Sequence, residues 1–181
     1  MREILIKNAF LVNEGQVKKQ DLLIIGEKIV SINSSINSNR SMDIINADGQ
    51  YLLPGWIDDQ VHFREPGLTH KANISSESRA AIAGGITSFI EMPNTKPQTT
   101  NFFALKEKLD IASRSSFANY GFLFGGTNNN LKEIENLDHS KAAGIKLFLG
   151  SSTGDMLVDN ENVIKEIFSK TDLPIAVHCE D

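Results

Sequence analysis

Apolar and polar positions alternate with a period of two through roughly the first fifty residues, and then the rhythm changes. Ile4–Val12 reads as a strand closed by a turn at Asn13-Glu14-Gly15. Asp21–Ile25 and Lys28–Ile32 flank Gly26-Glu27 as a tight hairpin. Ser34–Arg40 is a polar loop, and Met42–Asn46 and Tyr51–Leu53 are short strands around a turn at Asp48-Gly49. Residues 1–53 therefore read as a small N-terminal β domain. No residue there is of chemical note, so its expected role is that of a scaffold.

From Pro54 the pattern becomes strand, helix, strand, helix. Strands are expected over Ile57–Phe63, Ser88–Met92, Tyr120–Phe124, Gly144–Leu149 and Pro174–His178. Helices are expected near Ile74–Ala83, Asn101–Ser113, Leu131–Asn136 and Asn160–Lys170. Asn101–Ser113 carries Phe102, Leu105, Leu109 and Ala112 at helical spacing, which is most simply a core-facing stripe. Strands alternating with helices imply a parallel sheet with right-handed crossovers. No GxGxxG or GxxxxGK[ST] follows a strand, so a nucleotide-binding open sheet has no support.

The polar residues fall at the strand ends. Pro54–Gly67 is bounded by two Pro-Gly breakers, and in an extended strand Gln60, His62 and Arg64 share one face while Val61 and Phe63 share the other. A lone histidine on a strand is more often structural than a ligand. Here, however, Glu91 and Asn94, Thr127 and Asn128, Lys146, and His178 with Glu180 follow at the ends of the next four strands. Ala176, His178 and Glu180 share one face of the last strand, which leaves Cys179 on the other as packing; Ile145 and Leu147 face the helices and Lys146 the interior. His70 and His139 lie in polar loops and read as surface residues. Strand ends of this kind converge at the mouth of a (β/α) barrel. The expected fold class is α/β, a barrel of the TIM type over residues 54–181 preceded by the β domain. A whole barrel takes about 250 residues in eight units. This stretch supplies about four units and a fifth strand, as a barrel truncated after the fifth strand would.

Composition narrows the function classes. The 181 residues are 40% hydrophobic and 23% charged, with a net charge of −5, so no broad basic surface for nucleic acid is expected. One cysteine excludes an intramolecular disulfide and fits a reducing compartment. Charge interrupts Met1–Lys7 too early for a signal peptide, and no apolar run reaches the roughly 18–20 residues of a membrane span. The expectation is a cytoplasmic protein.

With these residues in view, the chain resembles the amidohydrolase superfamily and, within it, dihydroorotase. The likeness rests on Pro54–Gly67, Glu91-Met92-Pro93-Asn94-Thr95, Gly144-Ile145-Lys146-Leu147-Phe148 and Val177-His178-Cys179-Glu180-Asp181. It implies one or two zinc ions and reversible hydrolysis of dihydroorotate to N-carbamoyl-L-aspartate. It implies metal ligation by His62, Lys146 (carboxylated by CO₂ in many relatives) and His178. Gln60 stands where a histidine is expected, and its neutral amide oxygen is a weaker ligand than imidazole. That metal position is therefore open. Arg64 and Asn94 match positions that bind the substrate carboxylate. The other reading of Lys146 is a buried ion pair with Glu91 or Glu180.

The general acid/base is expected beyond Asp181, so these residues alone are expected to be inactive. The expected ligand is a small molecule bearing a carboxylate, and the expected assembly is a homo-oligomer, with an aspartate transcarbamoylase as a further partner. The alternatives are another cyclic-amide hydrolase (hydantoinase, dihydropyrimidinase or allantoinase) and a non-catalytic dihydroorotase-like scaffold, which Gln60 would favour.

Overall fold

A computed structural model of the chain describes residues 1–150 and 155–180. The chain divides into two compact units, Met1–Pro54 and Gly55–Asp181.

The first unit is a five-stranded sheet. Strands β1 (Glu3–Asn13), β2 (Gln16–Ile25) and β3 (Lys28–Asn33) form an antiparallel meander, and β4 (Asp43–Asn46) and β5 (Tyr51–Leu52) pair in parallel with β1. The β2–β3 hairpin turns at Gly26-Glu27, where Gly26 takes φ +62°, a left-handed backbone that glycine adopts without penalty. β2 starts five residues before the expected Asp21. Its first half, Gln16–Gln20, is polar except for an exposed Val17, and only Gln20 is half-buried, so it carries no alternation. Pairing with β1, not burial, makes it a strand.

Asp21, which had no expected role, organises this unit. Its carboxylate is 3% exposed and accepts the backbone N–H groups of Asn8 and Ile36, both at 2.9 Å, while Lys7 Nζ stands 3.3 Å away. Asn8 sits in the β1 bulge at φ +62°, and Ile36 in the polar loop, so one side chain ties both to β2.

In the second unit five strands lie side by side and parallel, in the order β6 (Trp56–Val61), β7 (Ile86–Glu91), β8 (Asn119–Gly125), β9 (Gly144–Phe148), β10 (Ile175–His178). Helices α1 (Ile74–Ala83), α2 (Phe102–Ser115), α3 (Leu131–Glu135) and α4 (Glu161–Lys170) fill the four connections. This is the expected (β/α)-barrel succession, with element ends within two residues of expectation. Asparagines start three of the helices: Asn73, Asn101 and Asn160 each accept first-turn N–H groups through the side chain. The core is aromatic and aliphatic, built on Phe63, Phe89, Phe122, Phe124, Ile145 and Leu147. Leu147 meets Ile134 and Ile167 around Gly126, so this face of β9 is the helix side.

Three expectations are corrected here. β9 is buried throughout, but β6, expected to be a buried strand, lies at one edge of the sheet, with Trp56 65% and Ile57 69% exposed. In the α2 stripe Leu105 and Ala112 are buried and Leu109 packs against the core as expected, but Phe102 is half exposed, and Ala104 and Lys108 are buried as well. Cys179 is exposed rather than packed, because it follows the last paired residue of edge strand β10. Asp181 lies outside the described residues. Among the described residues no helix is long and apolar enough to cross a membrane.

Candidate functional site

The segment after β6 does not continue as a regular strand. Pairing with β7 is irregular between Asp58 and Val61, the strand stops at Val61, and Arg64 takes φ +67°. The strict alternation expected of Gln60, His62 and Arg64 therefore fails. Gln60 is exposed within the irregular stretch. His62 and Arg64 are placed instead by contacts from the end of β7.

Two such contacts matter. His62 Nδ1 lies 3.0 Å from Asn94 Oδ1. The Arg64 backbone N–H donates to Glu91 Oε1 at 3.0 Å. The pieces 60–67 and 91–95, separate motifs in the sequence, are thus laced together. Gly67 completes the seam: at φ +82° its α-carbon faces Lys96 so closely that a β-carbon would overlap the Lys96 carbonyl oxygen. Arg64 and Asn94 then line one cavity of about 560 Å³, together with Leu68, Lys71, Thr95 to Gln98 and Asp155. Arg64, Lys71 and Lys96 give its lining a positive balance against the single carboxylate of Asp155. His62, Lys146, His178 and Gln60 are not part of that lining.

Electrostatics favour a neutral imidazole at 62. Burial and then the Arg64 charge push its pKa below the usual histidine range, Lys146 and Lys108 add to the effect, and the Asn94 hydrogen bond opposes it. Lys146 stands in fully buried β9, 3% exposed, with Nζ 5.2 Å from the Phe148 ring centre. Burial pushes its ammonium below the ordinary lysine value. Among the described residues it joins no ion pair, so the alternative pairing with Glu91 or Glu180 is not formed. His178, one strand over, has Nε2 3.3 Å from Glu180 Oε1, in keeping with a shared face. Among the described residues no three His, Cys, Asp or Glu side chains converge as a metal site. The expected ligand set contains only two residues of those types, His62 and His178. Thr127 and Asn128 serve the loop after β8: the Thr127 N–H donates to Asn130, and Asn128 Nδ2 donates to Asp159 at 2.8 Å.

Glu91 finds its partner in a residue that the sequence reading missed. Lys108 Nζ lies 2.6 Å from Glu91 Oε2, and both side chains are 1% exposed. Lys108 also donates to the Met92 carbonyl at 3.0 Å. The signal was present: Leu105, Lys108 and Ala112 follow helical spacing, so the lysine occupies a stripe position.

Comparison with known proteins gives the family to which the chain belongs. The chain is 34% identical over its whole length to a dihydroorotase of Methanosarcina acetivorans, covering 39% of that protein. It is 33% identical to an allantoinase of Desulfitobacterium hafniense, with 99% of this chain and 41% of the relative aligned. An L-hydantoinase (dihydropyrimidinase) structure from Arthrobacter aurescens superposes with a TM-score of 0.93 at 29% identity, covering 100% of this chain and 41% of that one. The chain thus spans about two fifths of the length of the relatives it matches. The amidohydrolase family model matches residues 51–181. By that match, this chain belongs to the amidohydrolase family.

Proposed function

We propose that the chain carries the carboxylate-recognition half, and part of the metal-binding half, of a cyclic-amide hydrolase site whose substrate is dihydroorotate. The observation that carries the reading is the His62–Asn94 contact beside the Arg64 cavity. It puts a candidate metal ligand and a candidate carboxylate binder in one place. Asn94 accepts from the imidazole through Oδ1, so its N–H₂ donors stay available to an anion. The Arg64 guanidinium offers a planar fork for a carboxylate.

The donor chemistry fits zinc. His62 is held neutral with Nε2 available, Lys146 is pushed towards the amine that CO₂ can carboxylate, and His178 supplies a second imidazole. Gln60 is the weakest member, because its neutral amide oxygen is a poorer ligand for zinc than imidazole. Zinc, when bound, polarises the amide carbonyl and activates water at neutral pH. Arg64 and Asn94 orient the ring by its carboxylate, and Asn94 also fixes the His62 tautomer. The resemblance assigns the general acid/base to the eighth barrel strand, so residues 1–181 alone are expected to bind ligand without turning it over.

A second reading, a hydrolase of neutral rings such as hydantoin, is favoured by the 0.93 TM-score to the L-hydantoinase structure. Calorimetric titration in the presence of zinc separates the two. The proposal expects dihydroorotate and N-carbamoyl-L-aspartate to bind in preference to hydantoin, dihydrouracil and allantoin, and Arg64→Ala to abolish the preference. Equal or tighter binding of the neutral rings overturns it.

A further inference from the structure

An ion pair in a core is expensive. Two charges lose their water, and a well-packed apolar pair of the same size is often as stable or more so. Lys108 occupies a stripe position of α2 that a methionine would fill, and Glu91 ends a buried strand; both side chains are 1% exposed. The remaining bonds of the pair are informative. Glu91 Oε1 holds the N–H of Arg64, whose backbone is left-handed. Lys108 Nζ, besides its 2.6 Å contact to Glu91, holds the carbonyl of Met92, two residues before Asn94. Each member thus holds the main chain near one of the two candidate carboxylate binders, Arg64 and Asn94, among the residues that line the cavity.

We propose that Glu91 and Lys108 form a positioning unit, setting Arg64 and Asn94 at the spacing of one carboxylate and so conferring preference for a carboxylate-bearing ring over a neutral one. Neither residue reaches the ligand. Glu91 acts through the Arg64 backbone and Lys108 through the Met92 carbonyl. The proposal rests on the carboxylate-binding reading of Arg64 and Asn94, and it names what enforces that reading.

The test uses the 181-residue chain and two probes, dihydroorotate and the neutral dihydrouracil. Glu91→Met/Lys108→Met removes both charges together with both anchors. Its expected effect is a loss of at least about tenfold in the ratio of the two affinities, the scale of a hydrogen bond made by a charged group, with dihydrouracil binding unchanged. Glu91→Gln/Lys108→Met returns an acceptor to the Arg64 N–H but not a donor to Met92, and is expected to recover part of the ratio. A wild-type ratio in either double variant overturns the proposal, and the second variant decides if the first does not fold. Independently of any ligand, the amide–α-proton coupling of Arg64 reads its backbone by NMR. Left-handed geometry is expected in the wild type and the Gln/Met variant, and its loss in the Met/Met variant. If Arg64 keeps that geometry in the Met/Met variant, Glu91 does not position it. If the wild type does not prefer dihydroorotate, the carboxylate reading fails, and the Arg64 coupling still decides whether the pair sets the backbone.

Discussion

His62 Nδ1 and Asn94 Oδ1 stand 3.0 Å apart, joining the loop after β6 to the loop after β7. An amide oxygen only accepts, so Nδ1 carries the proton and Nε2 keeps its lone pair. A partner of this kind fixes both tautomer and ring orientation in a metal-ligating histidine. Partial desolvation and the Arg64 charge also favour the neutral ring, the form that the proposed metal ligation by His62 requires.

Asn94→Ala removes that partner without touching the ligand atom. Zinc affinity is expected to fall by about 10–100-fold, the usual effect of losing a group that orients a ligand. Competition against a chromophoric chelator measures it. An unchanged affinity would mean that His62 either does not bind zinc or needs no orientation.

Removing one member of the Glu91–Lys108 pair strands the other as an uncompensated buried charge. Glu91→Ala and Lys108→Met should each cost about 3–5 kcal/mol in urea unfolding. The Glu91→Met/Lys108→Met double variant should cost less than either single one. A double-mutant cycle that shows simple additivity would argue that the two are not coupled.

Asp21 gives the first unit an acid-sensitive point. Burial pushes its carboxyl up, but the Asn8 and Ile36 N–H groups and Lys7 outweigh that and hold its pKa below the ordinary aspartate value. The folded state therefore binds this proton less readily than the unfolded one. The stabilisation is complete above the ordinary carboxylate range and is lost as pH falls through the depressed folded value. Asp21→Asn is expected to cost about 2 kcal/mol at neutral pH. It should also flatten the decline in stability below about pH 5. A variant with the wild-type acid profile would show that Asp21 does not set it.

Gly67→Ala strains the seam between the same two loops. A left-handed non-glycine residue costs about 1–3 kcal/mol in itself. The added β-carbon would also overlap the Lys96 carbonyl oxygen and must push it away. The loops carrying Arg64 and Asn94 are expected to separate, with thermal stability and carboxylate binding falling together. Full retention of both would place the seam outside the site.

Much of this was legible because burial in the second unit follows element type. β9, sealed on both faces, shows as the run Gly144–Phe148, and the asparagine-capped helices show as apolar stripes. The strand-end residues were legible for the same reason, since a lysine such as Lys146 inside an apolar run needs an explanation. Three features were hidden, each because a tertiary contact overrides a local pattern. Gln16–Gln20 is a strand through pairing alone. Arg64 leaves the strand alternation in a left-handed turn, where its N–H is bound by the Glu91 carboxylate. Lys108 went unremarked because the helical stripe was read through Phe102, Leu105, Leu109 and Ala112, all apolar. A charge at a stripe position points to a buried partner, and Glu91 at the end of the preceding strand was the available one.

The most direct test of the account is zinc content by elemental analysis of the purified chain. It should be paired with intact mass under non-denaturing conditions, for a CO₂ adduct on Lys146, in the wild type and in His62→Ala, His178→Ala and His139→Ala. The account predicts bound zinc in the wild type and in His139→Ala, and its loss in both His62→Ala and His178→Ala. No zinc in the wild type, or zinc indifferent to His62 and His178, would contradict the metal site at its root.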